Sequence, residues 1–270
     1  MPPQIRLPKI LLSCLIVVAA PGPPGADRAI AAETVTIGGT GSTLGDMKLL
    51  GDAYMQTHPD TKVVVLPYLG NVGGIKALRA GKLDIALTTD QLSPVEVAAG
   101  LTAVAYAKTA LAFATRHDTP FDAVTSAWLS DVYRGVVTQW PDGMPIRLML
   151  RPAHDSDMRI LFALSGAMKK TMQAALERPG LLIVDSAQEA GRKLAQLEGS
   201  LGSTTLAQSK SEQLAIKLLA FDGVAPTVEA LASGQYPLVK QFLHITRRDA
   251  SPAAQNFIAF LKSDEAAAML

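Results

Sequence analysis

Residues 35–87 read as strand, helix, strand, helix, strand, and few folds accept that order. Val35–Ile37 is a short apolar run, and Leu44, Met47, Leu50 and Tyr54 then recur at helical spacing on one face. Val63–Leu66 is a second strand, Ile75–Ala80 a short helix closed by Gly81, and Leu83–Leu87 a third strand. Strands alternating with helices predict an α/β architecture with a mostly parallel sheet. Beyond this unit, Val104–Thr115 reads as one strand of about twelve residues, twice the usual five or six, so it must do something a sheet strand does not. Arg147–Leu150, Leu181–Val184, Ile216–Phe221 and Leu238–Thr246 supply further strands, Met158–Met172 a helix, and Ala253–Met269 a closing amphipathic helix.

The first 31 residues stand apart from this pattern. Arg6 and Lys9 precede the apolar run Ile10–Ala20, and a Pro/Gly-rich stretch leads to Ala29-Ile30-Ala31. That arrangement is a secretory signal peptide, and the run is too short to span a bilayer, which needs about 20 apolar residues. Mature protein is expected to begin near Ala32 or Glu33 in the periplasm. Cys14, the only cysteine, reads as a small apolar residue of the signal core and not as a lipidation site. A mature chain without cysteine excludes a thiolate nucleophile, a cysteine-ligated zinc and a disulfide. Of 25 Lys and Arg and 24 Asp and Glu, the leader holds Arg6, Lys9, Arg28 and Asp27, which leaves a net charge of −1 on the remainder. Nucleic acid is therefore not an expected partner.

Glycine and hydroxyl residues concentrate where strands hand over to helices: Gly38-Gly39-Thr40-Gly41-Ser42-Thr43, Gly70-Asn71-Val72-Gly73-Gly74 and Thr88-Thr89-Asp90. In an open parallel sheet those junctions border the ligand crevice, and exposed N–H groups at a helix start suit an oxyanion. Each loop alone is as well explained by a turn and a helix cap. Gly39–Leu44 lacks the third glycine of a dinucleotide fingerprint, and no phosphate-loop, HExxH or GxSxG motif occurs. No cofactor or metal site is expected. His58, His117, His154 and His244 are scattered singly and read as surface or capping residues.

The Thr40–Thr43 loop, followed by Gly73-Gly74-Ile75-Lys76-Ala77-Leu78-Arg79-Ala80-Gly81 and Asp84-Ile85-Ala86, resembles the periplasmic phosphate-binding proteins of ABC importers. Leu129–Gly135 with Trp140 and Pro145-Ile146, then Asp222–Thr227, then Gly234–Leu238, match that family's later motifs in order. The resemblance implies a two-lobed type II periplasmic binding fold with two hinge crossovers. Lobe one would comprise residues 32–108 and 240–270, and lobe two residues 109–239. Val104–Thr115 would form the first crossover, with the second near Tyr236–His244. It also implies a ligand site: Thr40, Gly41, Ser42 and Thr43 as donors, Thr89 and Asp90 beside them with Asp90 accepting a proton of hydrogen phosphate, Arg151 as the guanidinium, and Ser156.

One segment departs from the family. Where its members carry an Asp-Gly-Ser-Gly-Thr run, this chain has His154-Asp155-Ser156-Asp157. Two carboxylates near a dianion must be accommodated, since unit charges 4 Å apart interact by about 4 kcal/mol at an effective dielectric of 20. They must cap the next helix, be offset by Arg159 or His154, or serve another ligand. The expected function is capture of an inorganic oxyanion, phosphate foremost, by a monomer that delivers it to ABC transporter membrane subunits, without catalysis. Two alternatives stand beside it: an exported phosphate-ester hydrolase using Ser42, His154 and Asp90 or Asp155, and a ligand-free sensor or scaffold.

Overall fold

A computed structural model describes residues 32–269, so the leader reading and Cys14 lie outside the described residues. The chain opens as expected with β1 (Glu33–Gly39), a single 3-10 turn (Gly41–Thr43), α1 (Leu44–Thr57), β2 (Thr61–Val65), α2 (Gly70–Arg79) and β3 (Ile85–Thr88). After α3 (Pro94–Ala98) comes β4 (Leu101–Arg116), longer at both ends than the sequence pattern suggests. β5 (Ala123–Val124), α4 (Ser126–Arg134), β6 (Arg147–Leu150), α5 (Ser156–Phe162), α6 (Gly166–Leu176), β7 (Leu182–Ile183), α7 (Ala187–Gln196) and β8 (Ser200–Thr205) follow. The remainder is α8 (Leu206–Ser211), β9 (Ile216–Leu218), β10 (Ala220–Phe221), α9 (Val228–Ala232), β11 (Val239–Arg247), α10 (Pro252–Phe260) and α11 (Asp264–Met269).

Most strands join one path, ordered β2-β1-β3-β11-β4-β8-β6-β7, with β9 beside β4. β1 runs parallel to β2 and β3, and β6 runs parallel to β7 and β8. The two long strands run opposite to each other, β11 against the first parallel set and β4 against the second. β11 is antiparallel to β3 and, from Val239 opposite Ala110 to Arg247 opposite Leu101, antiparallel to β4. From Leu111 onward β4 turns to β8 and then β9, also antiparallel. The mostly parallel sheet of the sequence reading is thus a mixed one, because the crossovers themselves pair.

β4 and β11 join two lobes, each with its own core. Around β1 and β3, Val35, Ile37, Met47, Leu50, Tyr54, Ile85 and Phe257 are buried under α1 and α10, and Ile75, Leu78 and Ile245 fill the opposite face under α2. Beyond Ala110, Phe113, Leu129, Trp140, Met158, Met172 and Tyr236 form the second core, with Met149, Ala190 and Leu194 on its other face.

Four readings are corrected. The 158–172 helix is two helices, because Ser165 caps a new one at Gly166, accepting from the Met168 N–H at 3.0 Å. The closing helix breaks likewise at Ser263, which accepts from the Ala266 N–H at 3.1 Å. The 216–221 strand is two short strands, β9 on β4 and β10 on β5. Gly70–Gly74 is the first half of α2 and not a loop before it. Among the described residues no helix is long and apolar enough to cross a membrane.

Gly39 fixes the approach of α2 to the sheet. Its φ is +150°, and a Cβ there would lie 2.0 Å from the Leu87 carbonyl oxygen, while a Cβ on Gly74 of α2 would lie 2.9 Å from the Gly39 Cα. Neither backbone can yield without breaking the β1–β3 pairing. Gly39→Ala is expected to destabilise by about 3 kcal/mol or more in urea unfolding, the upper range for overpacking. A loss below about 0.5 kcal/mol, the level of an ordinary surface substitution, would contradict this packing.

Candidate functional site

The ends of β1 and β3 and the start of α2 face the segment before α5 across a cleft. A cavity of about 350 Å³ there is lined by Thr40, Tyr68 and Leu69, by Gly70–Gly73, and by Asp90, Pro152, His154, Asp155, Ser156 and Asp185. A neighbouring one of about 630 Å³ includes Thr89, Asp90, Ser156, Arg159 and Lys240 in its lining. Helix capping sets this region apart. Each helix from α3 to α10 has a side-chain N-cap, from Ser93, Thr125, Asp155, Ser165, Ser186, Thr205, Thr227 and Ser251 in turn. α1 and α2 have none. The first-turn N–H groups of α2, which no intrahelical carbonyl can reach, lie along the cavity, whereas α1 continues from the 3-10 turn and its Leu44 N–H donates to the Gly41 carbonyl.

The eight residues expected at the site separate into two groups. Thr40, Thr89, Asp90 and Ser156 border the two cavities. Gly41, Ser42, Thr43 and Arg151 lie behind the surface and are not among the lining residues. The 3-10 turn is buried: Thr43 Oγ1 donates to the Thr40 carbonyl at 2.8 Å, and the Gln188 carboxamide reaches over from α7 to donate to the Gly41 carbonyl. Ser42 Oγ is buried with no partner.

Asp90 is not the free acceptor that the resemblance implies. Asn71 Nδ2 donates to its Oδ2 at 2.8 Å, Arg159 Nη2 donates to its Oδ1, and its own N–H donates to Thr88 Oγ1 at 3.0 Å. Arg159 Nη1 also donates to the His154 carbonyl at 2.7 Å. The Asp90–Arg159 pair thus ties the two lobes together at a partly open position, with side chains 35% and 47% exposed.

Arg151, 4% exposed, is engaged as well. It donates Nη2 to Asp155 Oδ2 at 2.8 Å and Nη1 to the Val184 carbonyl, and its buried Nε has no partner. Asp155 is the N-cap of α5, accepting from the Asp157 N–H at 2.8 Å. Asp157 pairs with Lys240, both buried. The departure at 154–157 is therefore accommodated by a cap and by two cations, but they are Arg151 and Lys240, not Arg159 and His154 as the sequence suggested.

Sequence reasoning missed Asn71 as a ligand of Asp90, together with Tyr68, Asp185, Gln188 and Lys240. Lys240 carried a signal, as a lone charge in the otherwise apolar-patterned 238–246 strand. Asn71 sat inside a motif singled out for its glycines. His244 was misread: it is buried in β11 with both ring nitrogens unpartnered, and burial pulls its pKa down to about 4. The hydrolytic set does not assemble, since Ser42 Oγ has no partner and Asp155 is held by Arg151 and the α5 N-terminus. Among the described residues no three His, Cys, Asp or Glu side chains converge as metal ligands would.

Two α/β lobes, two antiparallel crossovers and an interlobe cavity define a type II periplasmic binding fold. The chain belongs to the PBP superfamily, whose domain model matches residues 24–265. The phosphate-binding protein PstS of Bacillus subtilis (strain 168) is 22% identical over 244 residues, covering 87% of this chain and 77% of that one. Among solved structures, a Clostridium perfringens protein assigned as a phosphate ABC transporter substrate-binding protein, with phosphate bound, is 21% identical. It superposes with a TM-score of 0.67 over 88% of this chain and 96% of that one. An ABC-type phosphate transport receptor from Vibrio cholerae is 27% identical, with a TM-score of 0.58 over 88% and 96%. These three relatives are named as binding or transport proteins, not as enzymes.

Proposed function

We propose that this protein is exported by residues 1–31 to the periplasm, captures an oxyanion group in the cleft between lobe one (32–108 with 240–270) and lobe two (109–239), and passes it to the membrane subunits of an ABC transporter. Phosphate is the first candidate, by analogy with the ligand named for the relatives. The observation that carries the reading is the uncapped N-terminus of α2, whose Gly70–Gly73 line a cavity, in a chain that caps each helix from α3 to α10 with a side chain. N–H groups left without a cap are donors awaiting an acceptor, and a helix start favours negative charge. Thr40, Thr89, Asp90 and Ser156 would touch the ligand. Gly41, Ser42, Thr43 and Arg151 would shape the walls behind it.

The test is thermal unfolding of mature protein, stripped of ligand by reversible unfolding, against phosphate, sulfate, molybdate and alkyl phosphates and phosphonates. A ligand at a hundred times its dissociation constant adds about 2.7 kcal/mol, which for a chain of this length is a rise of roughly 5–10 °C. No shift with any oxyanion would end the capture reading and favour a sensor or scaffold. Release of alcohol from a phosphate ester would favour the hydrolase.

A further inference from the structure

Three cations stand at or behind the two cavities, and they are not equivalent. Arg151 is buried behind the wall, with Nη2 on Asp155 and Nη1 on the Val184 carbonyl. Lys240 is among the residues lining the 630 Å³ cavity, yet its ammonium is buried against Asp157. Arg159 lines the same cavity and is the one of the three whose side chain is half-exposed. A guanidinium carries five N–H bonds. Arg159 uses Nη1 on the His154 carbonyl and Nη2 on Asp90, which leaves its Nε–H and one N–H on each Nη without a partner among the described residues.

Those contacts put the guanidinium at the border between the cavities. His154 lines the 350 Å³ cavity, Arg159 lines the 630 Å³ one, and Asp90 and Ser156 line both. The two sides differ in charge. The smaller has Asp90, Asp155 and Asp185 in its lining and no lysine or arginine, whereas the larger has Asp90 against Arg159 and Lys240. A dianion among three carboxylates is repelled. At the border it meets a guanidinium with donors to spare, the group best matched to a tetrahedral oxyanion. Asp90 belongs to the first lobe and Arg159 to the second, so an anion held between the lobes meets this pair.

We propose that Arg159 supplies the positive charge to the bound oxyanion, the part that the sequence resemblance gives to Arg151, and that Asp90 competes with the ligand for that guanidinium. The inference rests on the oxyanion-capture reading and adds to it the residue that confers affinity. Asp90 already has Asn71 on one carboxylate oxygen and Arg159 on the other. It therefore acts as the rival of the incoming anion and not as the acceptor of a ligand proton, so phosphate and sulfate respond alike to its removal.

Phosphate and sulfate are titrated calorimetrically at pH 7.5 into the mature parent protein, Arg159→Gln and Asp90→Asn, with circular dichroism as the check on folding. Arg159→Gln should weaken phosphate binding about tenfold to a hundredfold, the effect of losing a hydrogen bond to a charged group. Asp90→Asn should tighten both anions about threefold or more, because it frees Arg159 and removes a like charge. Phosphate affinity in Arg159→Gln within about threefold of the parent's would overturn the assignment. Equal weakening of phosphate by the two substitutions would make the pair a latch between the lobes and overturn it as well. Weaker phosphate with tighter sulfate in Asp90→Asn would return Asp90 to accepting the ligand's proton and overturn the competition. Absence of binding of either anion to the parent would remove the oxyanion reading itself, and the role of Arg159 with it.

Discussion

Lys240→Met should lower the unfolding free energy by about 3–5 kcal/mol, while the double variant Lys240→Met with Asp157→Leu should recover most of that loss. The ion pair is dry: the Lys240 and Asp157 side chains are 4% and 5% exposed. Lys240 stands at the start of the crossover strand β11, opposite Thr109 of β4, and Asp157 lies in the first turn of α5, so the pair fastens the second lobe to the hinge. Removing lysine leaves a buried carboxylate with the Ser203 hydroxyl, a long hydrogen bond at 3.4 Å, as its side-chain donor. Desolvation without a counter-charge is the large penalty here, and replacing both partners by apolar groups avoids it. Urea titration of the three proteins at pH 7.5 gives the comparison. A single-variant loss under about 1 kcal/mol would mean that the pair behaves as a solvated surface contact.

That pair also shows where sequence reading ends. The 35–87 alternation was legible because hydrophobic period reports secondary structure directly, and β4 was legible because its length is unusual. Lys240 and Asp157 are separated by 83 residues, and nothing local names one as the partner of the other. The same limit governs the site. Arg151 reads from sequence as an anion-binding guanidinium, yet whether it is free depends on Asp155 four residues on, a residue that reads equally well as a cap. Asp155 is both, accepting from Arg151 on one oxygen and from the Asp157 N–H on the other. Residue type was legible at Asp90 as well. Its engagement by Asn71 and Arg159 required knowing that α2 and α5 face one another.

Asp46→Asn should gain stability relative to the parent as pH rises from about 4 to 8, reaching a relative gain of about 4 kcal/mol. Asp46 is 1% exposed in α1, and burial raises its pKa from 3.8 to about 7, an effect reinforced by Glu212 and opposed by Ser211. Both of those residues come from the end of α8 in the other lobe, against Gly45, where a Cβ would sit 2.6 Å from Ser211 Oγ. Tyr106 on β4 faces it too, buried and held neutral, while Arg192 lies near Glu212 and partly offsets it. Between pH 4 and 7 the folded state keeps a proton on Asp46 that the unfolded chain has released, so this group's contribution falls with rising pH and levels off above 7. Three pKa units correspond to about 4 kcal/mol. His244 acts in the opposite sense: its pKa of about 4 means that the unfolded chain binds more protons between 4 and 6.5, so its contribution rises over that window. The two slopes largely cancel in the parent below pH 6.5, and its own pH profile is a poor witness. The difference between Asp46→Asn and the parent isolates the carboxyl, and it should open steadily across the window while Asp46→Asn alone shows the rising His244 limb. A difference that stays flat from pH 4 to 8 would place the Asp46 carboxylate in contact with water and remove proton uptake from the seam between the lobes.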